Sequence, residues 1–294
     1  VSIGATNSNT IGHTRFETIS NTFAITNFSQ MSAQTLTIKL SGIDGYPNGY
    51  EFQAIAGTVL KTDGYKAVAE MMNGVSDKTG IKVKVNNTQI MTAAVVAGEI
   101  KDLKINDVMI GNIKTQANDA DNALIGAINA KKDETGVEAS IQNGRLVLAA
   151  KDGRAIRIDT MSGANSFSAV AGGKAANYSI QGMAYLGTMT FIRQDARDIK
   201  IGLNGMSTIA SAQFSGTAGI TGVASKAYNQ ASVNLKFMNS GTISSGLAKA
   251  MGFFNGGASD AGGWGDQAGG VNTYGGAQAM IDVAEAARKT LDKL

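Results

Sequence analysis

The 294-residue chain has no cysteine, which excludes disulfides, cysteine metal sites and thiol catalysis together. Histidine occurs once, as His13, so no zinc triad, His-x-x-x-His pair, Ser-His couple or Cys-His couple can form. Glu17 is the only carboxylate near it, and a surface or turn histidine is the reading that fits. No Gly-x-x-x-x-Gly-Lys-Ser/Thr phosphate loop is present. Aromatic content is 6%, too sparse for the stacking platforms that sugar hydrolases bring, and carboxylate pairs such as Asp133-Glu134 fall in solvated turns. The composition therefore offers no enzyme and calls for no cofactor. No apolar run approaches the ~20 residues of a membrane span. The net charge of +3 is spread along the chain, so no basic stripe argues for nucleic acid. Proline is also scarce, with Pro47 alone, against 37 glycines. Many tight turns in β-rich structure suit that balance better than a proline-rich linker.

What remains is enough for a core. Hydrophobic residues make up 43% of the chain, and its length predicts two or three compact units. The most informative stretch is Gly64 to Ile158. Ile105 to Ile113 alternates as strand around a polar turn at Asn106-Asp107. Asp119-Ala120-Asp121-Asn122 supplies helix N-cap chemistry, and Leu124, Ile125 and Ile128 give the helix an apolar face. Lys132 to Gly136 closes that helix. Val137 to Ile141 and Arg145 to Ala150 then read as strands joined by Asn143-Gly144, a pair whose favoured turn needs positive φ at both positions.

The same plan occurs once earlier. Asp63 to Val68 aligns with Asp119 to Leu124, Asn73 with Asn129, and Asp77-Lys78-Thr79-Gly80-Ile81 with Asp133-Glu134-Thr135-Gly136-Val137. Each Thr-Gly is placed to stop a helix. Two helix-plus-hairpin units in tandem are expected, the first with a helix over about Tyr65 to Asn73.

Ile105-Asn106, Ala127-Ile128-Asn129, Thr135 to Ser140 and Leu146-Val147-Leu148 together resemble the hook IN motif of bacterial flagellins and hook-associated proteins. Two flanks agree. Ile3 to Thr6, Ile11-Gly12 and Thr14 to Thr18 resemble the segment by which flagellins of the Campylobacter and Helicobacter type enter their outer domains. Gly276 to Ala284 resembles the start of their returning C-terminal helix. The resemblance covers most of the chain. It implies a structural subunit of an extracellular, secreted filament, with other flagellin subunits as partners and an innate immune receptor as a further one. Some flagellins carry an inserted metallopeptidase, and no His-Glu-x-x-His is present here.

The expected fold class is α+β: tandem small lobes of antiparallel hairpins, each with one short helix, plus a C-terminal helix of coiled-coil type. Residues 1–30 read as a remnant of the filament-core domain, 31–98 as the first outer unit and 99–160 as the second. Residues 161–252 read as a further β-rich region, 253–275 as a glycine-rich connection and 276–294 as the returning core helix. Val1 is not an initiator methionine and Lys289 to Leu294 carries no stop signal, so a piece of a longer chain is expected.

Thr35 to Leu40 alternates as a strand, with Tyr50 to Ile55 returning beside it, and Asn86 to Glu99 is expected to cross between the units. Ala155 to Ile158 reads as a strand with Arg154 and Arg157 on its wet side. With Arg145 these could form an anion patch, but solvated strand positions beside Asp152 and Asp159 are the better reading. Met161 to Gly182 lacks periodicity. Thr188 to Ile192 and Ile199 to Leu203 suggest a hairpin, Ala231 to Phe237 a strand, and Ile243 to Met251 a short helix. Gly262 to Asp266 is similar to one copy of a glycine-rich calcium repeat, without the regular spacing that would make a site.

In the resembling flagellins, outer-domain Ser and Thr carry acidic sugars, which makes Ser207, Thr208, Ser211 and Ser215 the positional candidates for O-glycosylation. In the last segment Ala277, Met280, Ala284, Ala287, Leu291 and Leu294 step by 3 and 4, the seam of a coiled coil. Glu285-Lys289 offers an i, i+4 pair. A secreted or hook-associated module binding a glycan or host surface is the alternative. The hook IN motif is shared by both classes, and the flanks favour the flagellin.

Overall fold

Leu36, Ile38 and Leu40 alternate with Thr37 and Lys39, and that period of two makes Thr35–Ser41 a strand with one buried face. The computed structural model describes residues 11–20, 32, 34–160, 164–172, 183–195, 197–205, 230–238, 242–243, 251, 267–268 and 274–292. In chain order its elements are β1 (Thr14–Ser20), β2 (Thr35–Ser41), β3 (Tyr50–Glu51), β4 (Ile55–Ala56), α1 (Gly57–Asp63), α2 (Tyr65–Asn73), α3 (Ser76–Thr79) and β5 (Ile81–Ala94). Then follow β6 (Gly98–Ile105), β7 (Val108–Thr115), α4 (Ala123–Asn129), α5 (Lys132–Thr135), β8 (Glu138–Gln142), β9 (Arg145–Ala150) and β10 (Ile156–Asp159). The remainder is α6 (Phe167–Ala171), β11 (Met183–Tyr185), β12 (Thr188–Arg193), β13 (Lys200–Asn204), β14 (Gln230–Val233), α7 (Leu235–Met238), β15 (Thr242–Ile243), β16 (Gln267–Ala268) and α8 (Tyr274–Leu291). The chain is thus mixed α and β, with antiparallel sheets and a C-terminal helix.

Six strands form one antiparallel sheet in the order β14-β1-β12-β5-β9-β8. A second sheet runs β11-β10-β6-β7, and a third runs β13-β2-β3 with β4 also on β2. Three apolar clusters fill the space. The first joins β2, α1, α2 and the start of β5 to Met189, Phe191, Ile201 and Leu203. The second lies between β6, α4, β8, β9 and β10, closed by Phe167 and Val170 of α6. The third is smaller and gathers Phe16, Ile192, Val233, Met238, Ala279 and Val283.

The tandem repeat is present in the way each helix is fixed to its outgoing strand. After α2, the Asn73 amide donates to the Val83 carbonyl at 2.8 Å and accepts from the Val83 N–H at 2.8 Å. After α4, Asn129 makes the same two bonds to Ala139, at 2.8 and 2.7 Å. Each side chain behaves as one more rung of a ladder and fixes its helix to the outgoing strand. Gly80 and Gly136 both take φ 71°, where a Cβ would be strained, and stop the last turn. Thr79 and Thr135 accept from the N–H two residues on, at 3.3 and 3.1 Å. At the two hairpin turns Asn106-Asp107 and Asn143-Gly144, all four residues have positive φ.

Several expectations need correction. The segments around Thr188 and Ile201 are strands, yet they do not pair with each other: β12 lies between β1 and β5, and β13 lies on β2. Thr188–Arg193 is buried along its whole length, so it needs neighbours on both edges, which a hairpin would not supply. Residues 86–94 do not cross between units but continue β5, because their polar Asn87 and Gln89 are buried and hydrogen-bonded. Arg157 is not on a wet face; it is 7% exposed and pairs with Asp107 from the β6–β7 turn. Tyr50 to Ile55 pairs with β2 only at its two ends. The strand at 231 stops at Val233, and Leu235–Met238 is a helical turn. Ile243 belongs to the strand pair β15–β16 rather than to a helix, and a helical turn at Phe167–Ala171 falls inside the stretch that lacked periodicity. Ser207, Thr208, Ser211, Ser215 and Gly262 to Asp266 lie outside the described residues.

Asn73→Ala and Asn129→Ala should each lower unfolding stability by about 1 kcal/mol or more, since each leaves a part-buried strand N–H and C=O without its partner. Urea denaturation measures this against Asn48→Ala, an exposed turn position that should be neutral. Equal effects at all three positions would remove the clasp from the account.

Candidate functional site

Among the described residues no cluster of three His, Asp or Glu could hold a metal ion, and the candidate site is a packing surface. It centres on α8. Its sequence is rich in alanine, which favours helix and lets a neighbour approach closely. Arg288 and Lys289 lie in its last turn, where cations suit the helix dipole.

One face of α8 is buried within the chain. Ala279, Asp282, Val283, Ala286 and Ala287 are all less than a tenth exposed. Ala279 and Val283 enter the third cluster beside Phe16, Ile192, Val233 and Met238. Gly12, with φ 74°, marks the closest approach, since a Cβ there would stand 3.0 Å from the Val283 carbonyl. Beside this apolar strip runs a polar one. Lys84 of β5 donates to Asp282 Oδ2 at 2.6 Å and to both the backbone and side-chain oxygens of Gln278 at 3.2 Å. Lys82, two residues earlier on the same strand face, reaches Glu285 Oε2 at 2.8 Å. Gln194, just past β12, donates to Glu285 Oε2 at 3.1 Å and accepts from Lys289.

The two carboxylates on this strip respond in opposite senses. Burial pushes the Asp282 carboxyl above its ordinary value, and the close Lys84 ammonium does not reverse that. The hydrogen bond from Lys82 holds Glu285 below the ordinary glutamate range. Glu285 therefore contributes stability above its unfolded pKa and loses it as pH falls through the lower folded value. Asp282 has the opposite sign, its folded form gaining relative to the unfolded one as pH falls.

The predicted seam residues do not share one environment. Ala287 is buried, Ala277 and Met280 are half-buried, Ala284 and Leu291 are exposed, and Leu294 lies outside the described residues. The face that packs within the chain is turned from the predicted seam by roughly a quarter of a helical turn, at 3.6 residues per turn. Opposite it, Ala277, Ile281, Ala284, Arg288 and Leu291 step by 4, 3, 4 and 3 along the outside. Ile281 is 53% exposed and Leu291 48%. Glu285 and Lys289 do not bond each other but turn to Lys82 and Gln194. Sequence reading missed Lys82, Lys84 and Gln194. The signal available was two lysines at i, i+2 on a strand matching two carboxylates at i, i+3 on a helix.

The second candidate surface is the 102–152 segment. The buried Asp119 carboxylate accepts from the N–H groups of Leu124 and Ile125 at 2.9 and 3.0 Å. It caps α4 from upstream of Asn122, the residue next to the helix, whose side chain makes no cap bond. The capped helix packs against β7 and β8, the edge strands of two different sheets.

In Glu285→Gln the acid response of α8 should flatten. Protection of residues 279–291 against hydrogen exchange, taken relative to the intrinsic rate at each pH, should fall in the parent as pH drops below the ordinary glutamate range. An unchanged acid profile in the variant would assign that response elsewhere.

Comparison with known proteins agrees with this geometry. The flagellin hook IN motif matches residues 102–152, the capped helix and its two flanking hairpins. Flagellin B of Helicobacter pylori (strain ATCC 700392 / 26695) is 33% identical over 299 residues, covering 100% of this chain and 55% of that protein. Flagellin A of Helicobacter mustelae is 35% identical over 307 residues, covering 100% of this chain and 58% of that protein. The chain spans about half the length of the curated relatives it matches. With the motif on the capped helix and relatives aligned from one end of the sequence to the other, the chain belongs to the flagellin family, whose members are structural proteins and not enzymes.

Proposed function

We propose that this chain forms part of a subunit of the bacterial flagellar filament, secreted and extracellular, serving motility. The end-to-end alignment with flagellins A and B carries this reading. Among the described residues no helix is long and apolar enough to cross a membrane, which is compatible with it. In this reading residues 1–30 and 276–294 belong to the filament-core side. Residues 31–252 project outward as small α+β lobes, in units of 31–98, 99–160 and 161–252, and 253–275 lead back to the core. The partners are other flagellin subunits, and the chain by itself is a monomer. Acidic sugars on Ser207, Thr208, Ser211 and Ser215 and an innate immune receptor are further partners of the same proposal.

The exposed stripe of α8 gives the proposal its mechanism. A row at heptad spacing, apolar but for Arg288 and with Ile281 and Leu291 in the open, is what a long helix needs to pack on in coiled-coil fashion. The inner face is already occupied by β1, β5 and α7, so the outer stripe is the side left for the longer protein's own helices. Burying Ile281 and Leu291 there would stabilise the assembly by roughly 1.5–3 kcal/mol for each side chain.

In the full-length protein, Ile281→Asp and Leu291→Asp should abolish filaments seen by electron microscopy while the isolated chain keeps its thermal transition. Val283→Asp, on the inner face, should lower that transition. Filaments from Ile281→Asp would remove the stripe from assembly. Filaments purified from the native cell surface should show excess mass on peptides spanning residues 165–222. Filaments at unmodified mass would keep the structural role and remove the sugars. A full-length protein that stays a soluble monomer would overturn the filament reading.

A further inference from the structure

The first and second apolar clusters lie on opposite sides of three stretches of chain: the middle of β5, residues 154–156, and residues 183–186, where Ala184 and Leu186 face the first and Met183 and Tyr185 the second. One side chain touches all three. Asn87 is fully buried at the point where β5 exchanges neighbours, its last pair with β12 being Asn86↔Thr188 and its first with β9 being Asn87↔Ala150. Its amide nitrogen donates to the Arg154 carbonyl at 2.7 Å and to the Tyr185 carbonyl at 2.9 Å. Its oxygen accepts from the buried Gln89 amide at 2.8 Å. Both donors and the acceptor are therefore used. Gly187, at φ 92°, lets the third crossing lie against the first, since a Cβ there would come within 2.7 Å of the Asn86 carbonyl and 2.9 Å of the Asn87 Cβ.

We infer that Asn87 is a rigid joint, a positioning residue that holds the two cores at one fixed angle. An apolar side chain here would take the shared donor from the part-buried Arg154 carbonyl and the buried Tyr185 carbonyl, and the crossings would separate to let water in. The Lys66–Asp152 pair, which also links the two parts, is 3.4 Å long and a third exposed, so it cannot hold the angle alone. The inference rests on the fold; only its consequence, a fixed shape for the outward surface, rests on the filament reading.

The absence of cysteine makes the test direct, because two introduced cysteines are the only labelling sites. Glu51→Cys beside the first cluster and Asp133→Cys beside the second are both exposed positions. Spin-label distances between them should form one narrow distribution in the parent. In Asn87→Leu the distribution should broaden about twofold or more. Hydrogen exchange within residues 36–40 and 146–150 should stay slow, which shows that each core is intact. Asn87→Ser, which keeps one donor, should fall between the two and decides the matter if the leucine variant does not fold. A distribution as narrow as the parent's in the variants that fold overturns the joint, as does broadening accompanied by fast exchange inside both cores. Neither outcome depends on whether the full-length protein forms filaments.

Discussion

Fourteen residues of β5 satisfy three environments at once, and the strict two-residue alternation of a strand makes this possible. Ile81 and Val83 turn into the first cluster, while Lys82 and Lys84 on the other face meet the carboxylates of α8. Further along, Asn87 and Gln89 occupy the crossing, and Met91 enters the second cluster. A slip of one residue would place lysines in the first core and isoleucine against Asp282. The register of β5 therefore sets the position of the returning helix and of both cores together. That is why a strand with so many polar residues keeps its register as far as Ile90, where its pairing with β9 shifts: each polar side chain has a defined partner, and any other register would bury charges without one.

The repeated units show a second economy of means. A short helix followed by a strand in a new direction leaves the helix end and the strand start with unpaired backbone groups. Asn73 and Asn129 solve this with the one side chain that mimics a peptide group, donor and acceptor side by side. The spacing is fixed by geometry, ten residues from asparagine to its strand partner in both copies, with Gly80 or Gly136 between to turn the chain. Entry to the helix is solved differently. The second unit spends the buried carboxylate of Asp119 on two N–H groups of α4, whereas α2 begins at Gly64, the glycine that also ends α1. The asparagine clasp thus belongs to both units and the acidic cap to the second only.

Local order was the part legible in the sequence. The Asn106-Asp107 and Asn143-Gly144 turns, the alternation at Leu36 to Leu40 and the helix over Tyr65–Asn73 all follow from rules acting within a dozen residues, and all are present. Long-range pairing was not legible. Nothing within Thr188–Arg193 says that its neighbours are Thr14–Ser20 and Ile81–Asn86; adjacency suggested Ile199 to Leu203 instead. Arg157 was misjudged for a related reason. Alternation gives the face of a strand but not what covers it, and here the β6–β7 turn folds over with Asp107. Of the candidate site, the helix and its heptad spacing could be read, while the rotation of the stripe could not, because it depends on which strands lie beneath.

That rotation has a physical origin. Hydrophobicity alone gives α8 a broad apolar arc, wide enough for two neighbours, and a seam drawn through its middle straddles both. The polar strip decides between them. Asp282 and Glu285 must face Lys84 and Lys82, and this turns Ala279, Val283 and Ala286 inward and leaves Ile281, Ala284 and Leu291 outside. Two charged pairs contribute little net stability here, one being partly exposed and the other carrying the cost of a buried carboxylate. Their effect is on direction. Leaving Asp282 buried without Lys84 would cost part of what a fully buried pair loses with one partner, since the Lys84 side chain is itself partly exposed. Alternative rotations of the helix are thereby excluded, and the exposed row is presented at one angle only. For a helix proposed to receive a second neighbour, a fixed outer face matters more than a tighter inner one.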